Sequence, residues 1–199
     1  MKTQEEIILE LVRKHGYVRP SSLETYELPR VALTRLVRAG KLKRQARGLY
    51  TLPNHVPGEN ESLVEVCARY PGAVVCLLSA LRYHELTTHA PFEVWIAVGG
   101  KARAPQPVYP PVRVVRFSDL LLREGVERHK TSGVEISVTD ISRTIADCFR
   151  YRNKIGIDVA IEALRDAWSG NRFEMDQLWN YARLCRITSI IRPYMESLV

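Results

Sequence analysis

Almost all of the excess positive charge of this 199-residue chain lies in its first 52 residues. That stretch holds 11 lysines and arginines against 5 acids, whereas residues 53–199 hold 18 against 17. Such an asymmetry is the electrostatic footprint of a small nucleic-acid-binding module joined to a nearly neutral body. The net charge of +7 is therefore mainly a property of the N-terminal stretch.

The segment Pro29–Ala39 carries the most informative pattern in this stretch and predicts an amphipathic helix. Its apolar face is formed by Pro29, Ala32, Leu33, Leu36 and Val37. The opposite face carries Arg30, Thr34 and Arg38, with Val31 and Arg35 beside them. A face rich in arginine and free of acids suits the major groove of DNA, because arginine can donate two hydrogen bonds to guanine O6 and N7.

Capping signals predict two further helices before this segment. Thr3 with Glu6 fits a capping box at the start of a first helix. Ser21 with Glu24 fits a second box, which opens a short helix. The sequence thus predicts three helices within its first 40 residues.

A basic hairpin is predicted to follow the third helix. Its strands are expected over 42–45 and 49–52, and Gly48 suits the left-handed position of the turn. Three helices and a basic hairpin are the order of a winged helix-turn-helix, whose recognition helix enters the major groove while the hairpin contacts phosphates.

The predicted DNA contacts follow from this arrangement. Base and groove contacts are expected from Arg30, Val31, Thr34, Arg35 and Arg38. Hairpin contacts are expected from Lys43, Arg44, Gln45 and Arg47. Ser21 and Ser22 are candidates for a phosphate contact, with plain helix capping as the alternative. For the whole basic face, the alternative is a solvated helix surface without a ligand.

The fold class expected is α+β, with the winged helix-turn-helix over residues 1–53, a proline-bearing linker over 54–60 and a C-terminal domain over 61–199. This domain is predicted to hold a small mixed sheet and a helical tail. Predicted strands cover 94–98, 112–117, 128–131 and 134–138, and predicted helices include 61–69 and 140–149. A further helix is expected to bury Ile157, Ile161, Leu164 and Trp168.

Several classes of protein are not expected. The longest apolar run is Ala73–Leu78, far short of the roughly 20 residues of a membrane span, and Glu5, Glu6 and Glu10 do not suit a signal peptide, so a cytoplasmic protein is expected. Four sparse cysteines are expected to be buried free thiols: Cys67, Cys76, Cys148 and Cys185.

The search for catalytic motifs predicts no enzyme, no cofactor and no metal. His84 and His89 are five residues apart, whereas the related zinc motif places its histidines at i and i+4, so they are expected to face solvent or cap a helix. Gly99-Gly100-Lys101 has Trp95 where a phosphate-binding loop needs glycine and is expected to be a turn.

A second basic patch lies at the end of a predicted helix and comprises Arg150, Tyr151, Arg152 and Lys154. It is a candidate contact for a polyanion, an acidic protein or an RNA. The alternative is that these cations only complement the negative end of the helix dipole.

The N-terminal motifs resemble the winged-helix domain of AbiEi antitoxins, which belong to bacterial type IV toxin–antitoxin (abortive infection) systems. The resemblance rests on Leu28-Pro29-Arg30, Leu33, Arg35-Leu36, Gly40-Lys41-Leu42, Arg44 and Arg47-Gly48-Leu49-Tyr50. Softer landmarks in the body are Leu78-Ser79-Ala80-Leu81 with His84, and Ser142-Arg143-Thr144-Ile145-Ala146-Asp147. The chain departs from the family pattern at Glu85-Leu86, where a glycine would precede the leucine.

The resemblance implies a repressor that binds inverted repeats in its own promoter through the winged helix and represses its operon, as part of a phage-resistance system. It also implies a C-terminal domain that counteracts a nucleotidyltransferase toxin, without the need for a stable complex. Alternatives are a solitary winged-helix regulator, a DNA-targeted nuclease and a protein-interaction module.

Overall fold

The computed structural model describes residues 2–46, 48–56, 58, 60–88, 91–102, 109–131 and 133–198. Its contacts divide the chain into two compact units. Unit 1 comprises Met1–Gly72 and Arg128–Ile136, and unit 2 comprises Ala73–Glu127 and Ser137–Val199. The protein is a mixed α+β chain, and unit 1 extends past the predicted boundary at residue 53.

The N-terminal part of unit 1 has the element order that the sequence predicts. Within its described residues, the elements are α1 (Gln4–His15), α2 (Pro20–Glu24), α3 (Val31–Arg38), β1 (Lys43–Ala46), β2 (Leu49–Thr51) and α4 (Glu61–Arg69). Strands β1 and β2 pair antiparallel, and Val18 forms an isolated bridge to Tyr50 of β2. Gly48 adopts the predicted left-handed backbone in the turn, with φ of 73°.

The predicted start of α1 is confirmed by its capping contacts. Thr3 Oγ1 accepts a hydrogen bond from the Glu6 backbone N–H at 3.3 Å, and Glu6 Oε2 accepts one from the Thr3 N–H at 2.8 Å. Gly16 ends the helix with φ of 76°, which a residue with a Cβ adopts only at a cost.

The predicted start of α2 is wrong. Ser21 and Ser22 lie inside the helix, while Arg19 occupies the N-cap position and makes no side-chain cap. Pro20 begins the helix instead, because its fixed φ and missing N–H suit the first helical position.

Helix α3 is shorter than its predicted span. It begins at Val31 after a tight turn in which the Ala32 N–H donates to the Pro29 carbonyl at 3.0 Å. Pro29 itself is exposed rather than part of the apolar face.

One apolar core joins the three N-terminal helices. It contains Ile8, Val12, Val18, Leu23, Leu28, Ala32, Leu33, Leu36 and Leu42. Because α3 buries Ala32, Leu33 and Leu36 here, its residues Val31, Thr34, Arg35 and Arg38 are directed to the solvent side.

Helix α4 is bonded into unit 1 by its polar side chains. Glu61 accepts hydrogen bonds from the Tyr17 hydroxyl and, at 3.1 Å, from the Gly58 N–H, and Glu61 Oε2 lies 3.2 Å from His55 Nε2. His55 and Gly58 of the predicted linker are thus bonded to Glu61 at the start of α4. Arg19 Nη2 also donates to the Ala68 carbonyl at 3.3 Å.

The described residues of unit 2 and the hairpin shared with unit 1 form a sheet of order β5-β4-β3-β7-β6. Its strands are β3 (Val74–Val75), β4 (Val94–Gly99), β5 (Val112–Phe117), β6 (Val126–Thr131) and β7 (Val134–Thr139). Strand β3 pairs antiparallel with β4 and parallel with β7, and β4 pairs parallel with β5, so the predicted mixed sheet is present. The distal part of the β6–β7 hairpin, residues 128–136, belongs to unit 1.

Helices cover the sheet of unit 2 and form the predicted helical tail. They are α5 (Leu77–Tyr83), α6 (Ile141–Arg150), α7 (Arg152–Ile155), α8 (Ile157–Ser169), α9 (Met175–Leu184) and α10 (Thr188–Glu196). The predicted buried face of α8 is partly wrong. Its core residues are Ala160, Ala163, Leu164 and Ala167, because small side chains allow α8 to pack closely on α6, whereas Trp168 is 39% exposed.

A buried ion pair lies inside α6. Arg143 and Asp147 are both inaccessible to solvent, and Arg143 Nε donates to Asp147 Oδ2 at 3.1 Å. Arg143 Nη1 donates to the Glu124 carbonyl at 2.7 Å, and the guanidinium carbon lies 5.2 Å from the centre of the Phe117 ring. Burial raises the pKa of Asp147 to about 6, although the charge of Arg143 acts in the opposite direction.

We predict that Asp147→Asn changes how stability depends on pH. A carboxyl whose pKa rises from 3.8 to about 6 on folding stabilises the native state below pH 4, and this stabilisation is lost as the pH rises through 6. Asparagine cannot ionise, so the variant's free energy of unfolding should gain about 2 kcal/mol relative to wild type between pH 4 and 7. Urea unfolding across this range measures the difference; a difference independent of pH contradicts the assignment.

Candidate nucleic-acid interface

The solvent face of α3 carries four of the predicted DNA-contacting side chains. Val31, Thr34, Arg35 and Arg38 are exposed, and Val31 is 51% exposed despite being apolar. In the described part of the chain, neither arginine side chain has a hydrogen bond or ion pair. The face therefore offers two unpaired guanidiniums beside a methyl-bearing surface, the combination that can read guanine and thymine edges.

Arg30 is placed differently from these four residues. It precedes the first turn of α3 and forms an ion pair with Glu24 of α2, both side chains being largely exposed. Exposed ion pairs contribute about 0–1 kcal/mol, so the contact holds Arg30 only weakly.

The side chains of the β1–β2 hairpin that are predicted to contact DNA fall into two groups. Lys43 and Arg44 are exposed, and their side chains make no ion pair within the described residues. Gln45 is half-buried, and its Nε2 donates to Glu65 Oε1 of α4 at 2.7 Å. Arg47 lies outside the described residues.

The two serines have unequal access to solvent. Ser21 is exposed on α2, whereas Ser22 is half-buried. Neither caps the helix, so the alternative that the sequence analysis gave for them is wrong. Their proposed phosphate contact stays a prediction.

Two carboxylates of α4 are a feature that the sequence analysis missed. Glu61 and Glu65 lie one helical turn apart, and one binds Tyr17 while the other binds Gln45 of the hairpin. Glu65 is only 5% exposed within the apolar run Leu63–Ala68. An acid in such a run signals a buried polar partner, although it does not identify which one.

The basic patch of unit 2 is held by contacts of its own. The Tyr151 ring lies 5.8 Å from the Arg150 guanidinium carbon and 5.5 Å from Lys154 Nζ. Arg152 Nη1 donates to the Phe149 carbonyl at 3.0 Å, which satisfies a group at the end of α6. For Arg152, the alternative that the cation only complements a helix end is therefore sufficient. That the patch as a whole contacts a partner stays a prediction.

The two histidines that the sequence analysis compares with a zinc motif are His84 and His89. His84 is buried at the C-cap of α5, where its Nε2 donates to the Thr139 carbonyl at 2.7 Å, so it does not face solvent; burial lowers its pKa. His89 lies outside the described residues.

All four cysteines are buried and unpaired, as predicted. Among the described residues, no group of three or more His, Cys, Asp or Glu could hold a metal ion.

Comparison with known families bears on the N-terminal unit. Residues 6–53 match the family described as transcriptional regulator, AbiEi antitoxin. This part of the chain is therefore similar to AbiEi antitoxin transcriptional regulators. The match runs from α1 to just beyond β2 and includes the exposed face of α3 and the hairpin. No curated protein is significantly similar to the chain. Across the described ranges, none of the helices combines the length and apolar character needed to cross a bilayer.

The contact between Gln45 and Glu65 yields a prediction about the β1–β2 hairpin. A hydrogen bond to a charged, mostly buried carboxylate should stabilise unit 1 by about 1.5 kcal/mol. We therefore expect that coupling energy from a double-mutant cycle of Gln45→Ala and Glu65→Ala in urea unfolding.

Glu65→Gln is the matched control, because its amide oxygen can still accept from Gln45 while the charge is lost. A coupling energy near zero would show that Gln45 is free to reach a ligand, as the sequence analysis predicts.

Proposed function

We propose that this protein is a DNA-binding transcriptional repressor whose N-terminal winged helix-turn-helix recognises its operator. The single observation that carries the proposal is the exposed face of α3. Ala32, Leu33 and Leu36 of α3 are buried in the core of unit 1. On the opposite face, Arg35 and Arg38 remain exposed without ion-pair partners in the described chain. The AbiEi family match over residues 6–53 supports the same function.

The arrangement around α3 supports a winged-helix mode of binding. Helix α2 precedes α3 through a short turn, and the β1–β2 hairpin follows it, bridged by Val18. In winged helix-turn-helix proteins the second helix of the turn motif lies in the major groove. Helix α3 is that element here, and the β1–β2 hairpin is the wing.

Each exposed side chain has a distinct role in this proposal. Arg35 and Arg38 donate to guanine edges, while Val31 and Thr34 contact thymine methyl groups. Arg30 leaves its exposed ion pair with Glu24 at small cost and joins them. Contacts that fix the register without reading sequence come from the phosphate-binding group: Lys43, Arg44, Arg47, Ser21 and Ser22.

The operator we propose is a pair of inverted repeats in the promoter of the protein's own gene. This finer statement follows from the AbiEi family rather than from the geometry of α3. Binding there represses the operon, so the protein adjusts its own level in the cytoplasm.

We further infer an antitoxin role, in which the C-terminal part counteracts a nucleotidyltransferase toxin. The family name supports it, and the basic patch at Arg150, Tyr151 and Lys154 offers a contact for an acidic or RNA partner. A toxin reading frame beside the gene favours this role. Its absence favours the alternative of a solitary regulator, since the family match covers only residues 6–53.

Replacing Arg38 and Lys43 separately tests the division between base and phosphate contacts. Arg38→Ala should cost about 1–3 kcal/mol in operator binding and relax specificity at one base pair. Lys43→Ala should weaken binding to all sequences equally and reduce the slope of log affinity against log salt by about 1. Fluorescence anisotropy with duplexes from the upstream region and a scrambled duplex measures both.

The matched control is Arg165→Ala on α8, an exposed arginine of unit 2 that has no role in the proposal. If Arg38→Ala binds the operator as tightly as this control does, α3 is not the reading helix.

A further inference from the structure

A cleft of about 340 Å³ opens in unit 1 beside the helix-turn-helix. It is bounded by the end of α1, by α2 and by the turn of the β6–β7 hairpin. The hairpin turn packs closely against the end of α1, since a Cβ on Gly133 would lie 3.7 Å from His15 Cβ and from the Tyr17 carbonyl oxygen. Residues more than a hundred positions apart thus form one cleft wall.

Besides Tyr17, whose hydroxyl donates to Glu61, five polar side chains line this cleft: His15, Ser22, Thr25, Tyr26 and Lys130. Within the described part of the chain, none of these side chains has a hydrogen bond or ion pair, and no carboxylate is among the lining residues. Three hydroxyls, an imidazole and an ammonium therefore converge without an internal acceptor.

The chemistry of this set is that of an anion site. Lysine binds phosphate as a point charge, hydroxyls donate to its oxygens, and a histidine can donate to a further oxygen. The negative end of α1 would oppose an anion, but Arg13, Lys14 and His15 occupy its last turn and offset that dipole.

We propose that this cleft binds a phosphate group. The favoured source is the backbone of bound DNA, because the helix that precedes a recognition helix crosses the DNA backbone, and α2 forms one side of the cleft. In this form the inference rests on the proposed function and adds a contact from the β6–β7 hairpin to the winged helix. A free nucleotide is the other source of the same chemistry.

The test compares Lys130→Ala with the matched control Lys101→Ala, which removes an exposed lysine from unit 2. Anisotropy titrations of a duplex of arbitrary sequence are made over a range of sodium chloride concentrations. Thermal unfolding is measured with inorganic phosphate or ATP against chloride at equal ionic strength. Because Lys130 is exposed, the variant should fold like wild type.

If the phosphate belongs to DNA, Lys130→Ala reduces the slope of log affinity against log salt by about 0.9. If the variant and wild type bind equally at 1 M salt, this change makes binding of the variant about eightfold weaker at 0.1 M salt. If it belongs to a free nucleotide, the slope is unchanged, and the rise in Tm with phosphate or ATP is lost in Lys130→Ala alone. The proposal is overturned if Lys130→Ala matches Lys101→Ala in both assays.

The double variant Ser22→Ala, Thr25→Ala tests whether the cleft binds phosphate through specific hydrogen-bond donors or attracts it only by the charge of Lys130. It removes two donors without changing the charge, so binding should weaken while the salt slope stays the same. A slope change in Lys130→Ala with no effect of the double variant would mean that the lysine acts only as distant charge, which also overturns the proposal.

The two proposals fail in distinguishable ways. If the wild type binds no duplex at low salt, the proposed DNA function fails, while a phosphate-dependent Tm that requires Lys130 still supports the cleft. If Arg38 reads the operator but Lys130 and the two hydroxyls affect neither assay, only the cleft proposal fails.

Discussion

The candidate nucleic-acid interface depends on how α3 divides its side chains between the core and solvent. Ala32, Leu33 and Leu36 are buried with Ile8 and Val12 of α1, and this burial fixes the rotation of α3 about its own axis. Burying three such side chains contributes several kcal/mol, more than any exposed charge in the unit. Because the rotation is fixed, Thr34, Arg35 and Arg38 must share the outer face. The proposed DNA-binding surface is thus a consequence of core packing.

The elements around α3 are fixed by polar contacts that the core does not supply. Glu65 of α4 holds Gln45 of the hairpin, and Glu61 holds Tyr17 and the segment before α4. These contacts explain why unit 1 continues to residue 72. A change at α4 would therefore alter the position of the hairpin without touching its cationic side chains.

Local patterns predicted most of the elements and the exposed face of α3. The capping box at Thr3 and the left-handed Gly48 act over a few residues, so sequence spacing is sufficient to locate them. The start of α2 was mispredicted because serine and proline signals compete there, and Pro20 prevails. Contacts between distant segments were not predictable: Gln45 bonds a carboxylate 20 residues away, and Lys130 reaches the cleft from another part of the chain.

The claim that α3 lies in the major groove is tested most directly by dimethyl sulfate footprinting, since this reagent methylates guanine N7 in that groove. In the complex of wild-type protein with its operator, guanines in the centre of each half-site should be protected. Protection of one guanine per half-site should disappear in Arg35→Ala at protein concentrations that saturate the duplex. A saturated complex in which every guanine N7 reacts as in free DNA would contradict the account.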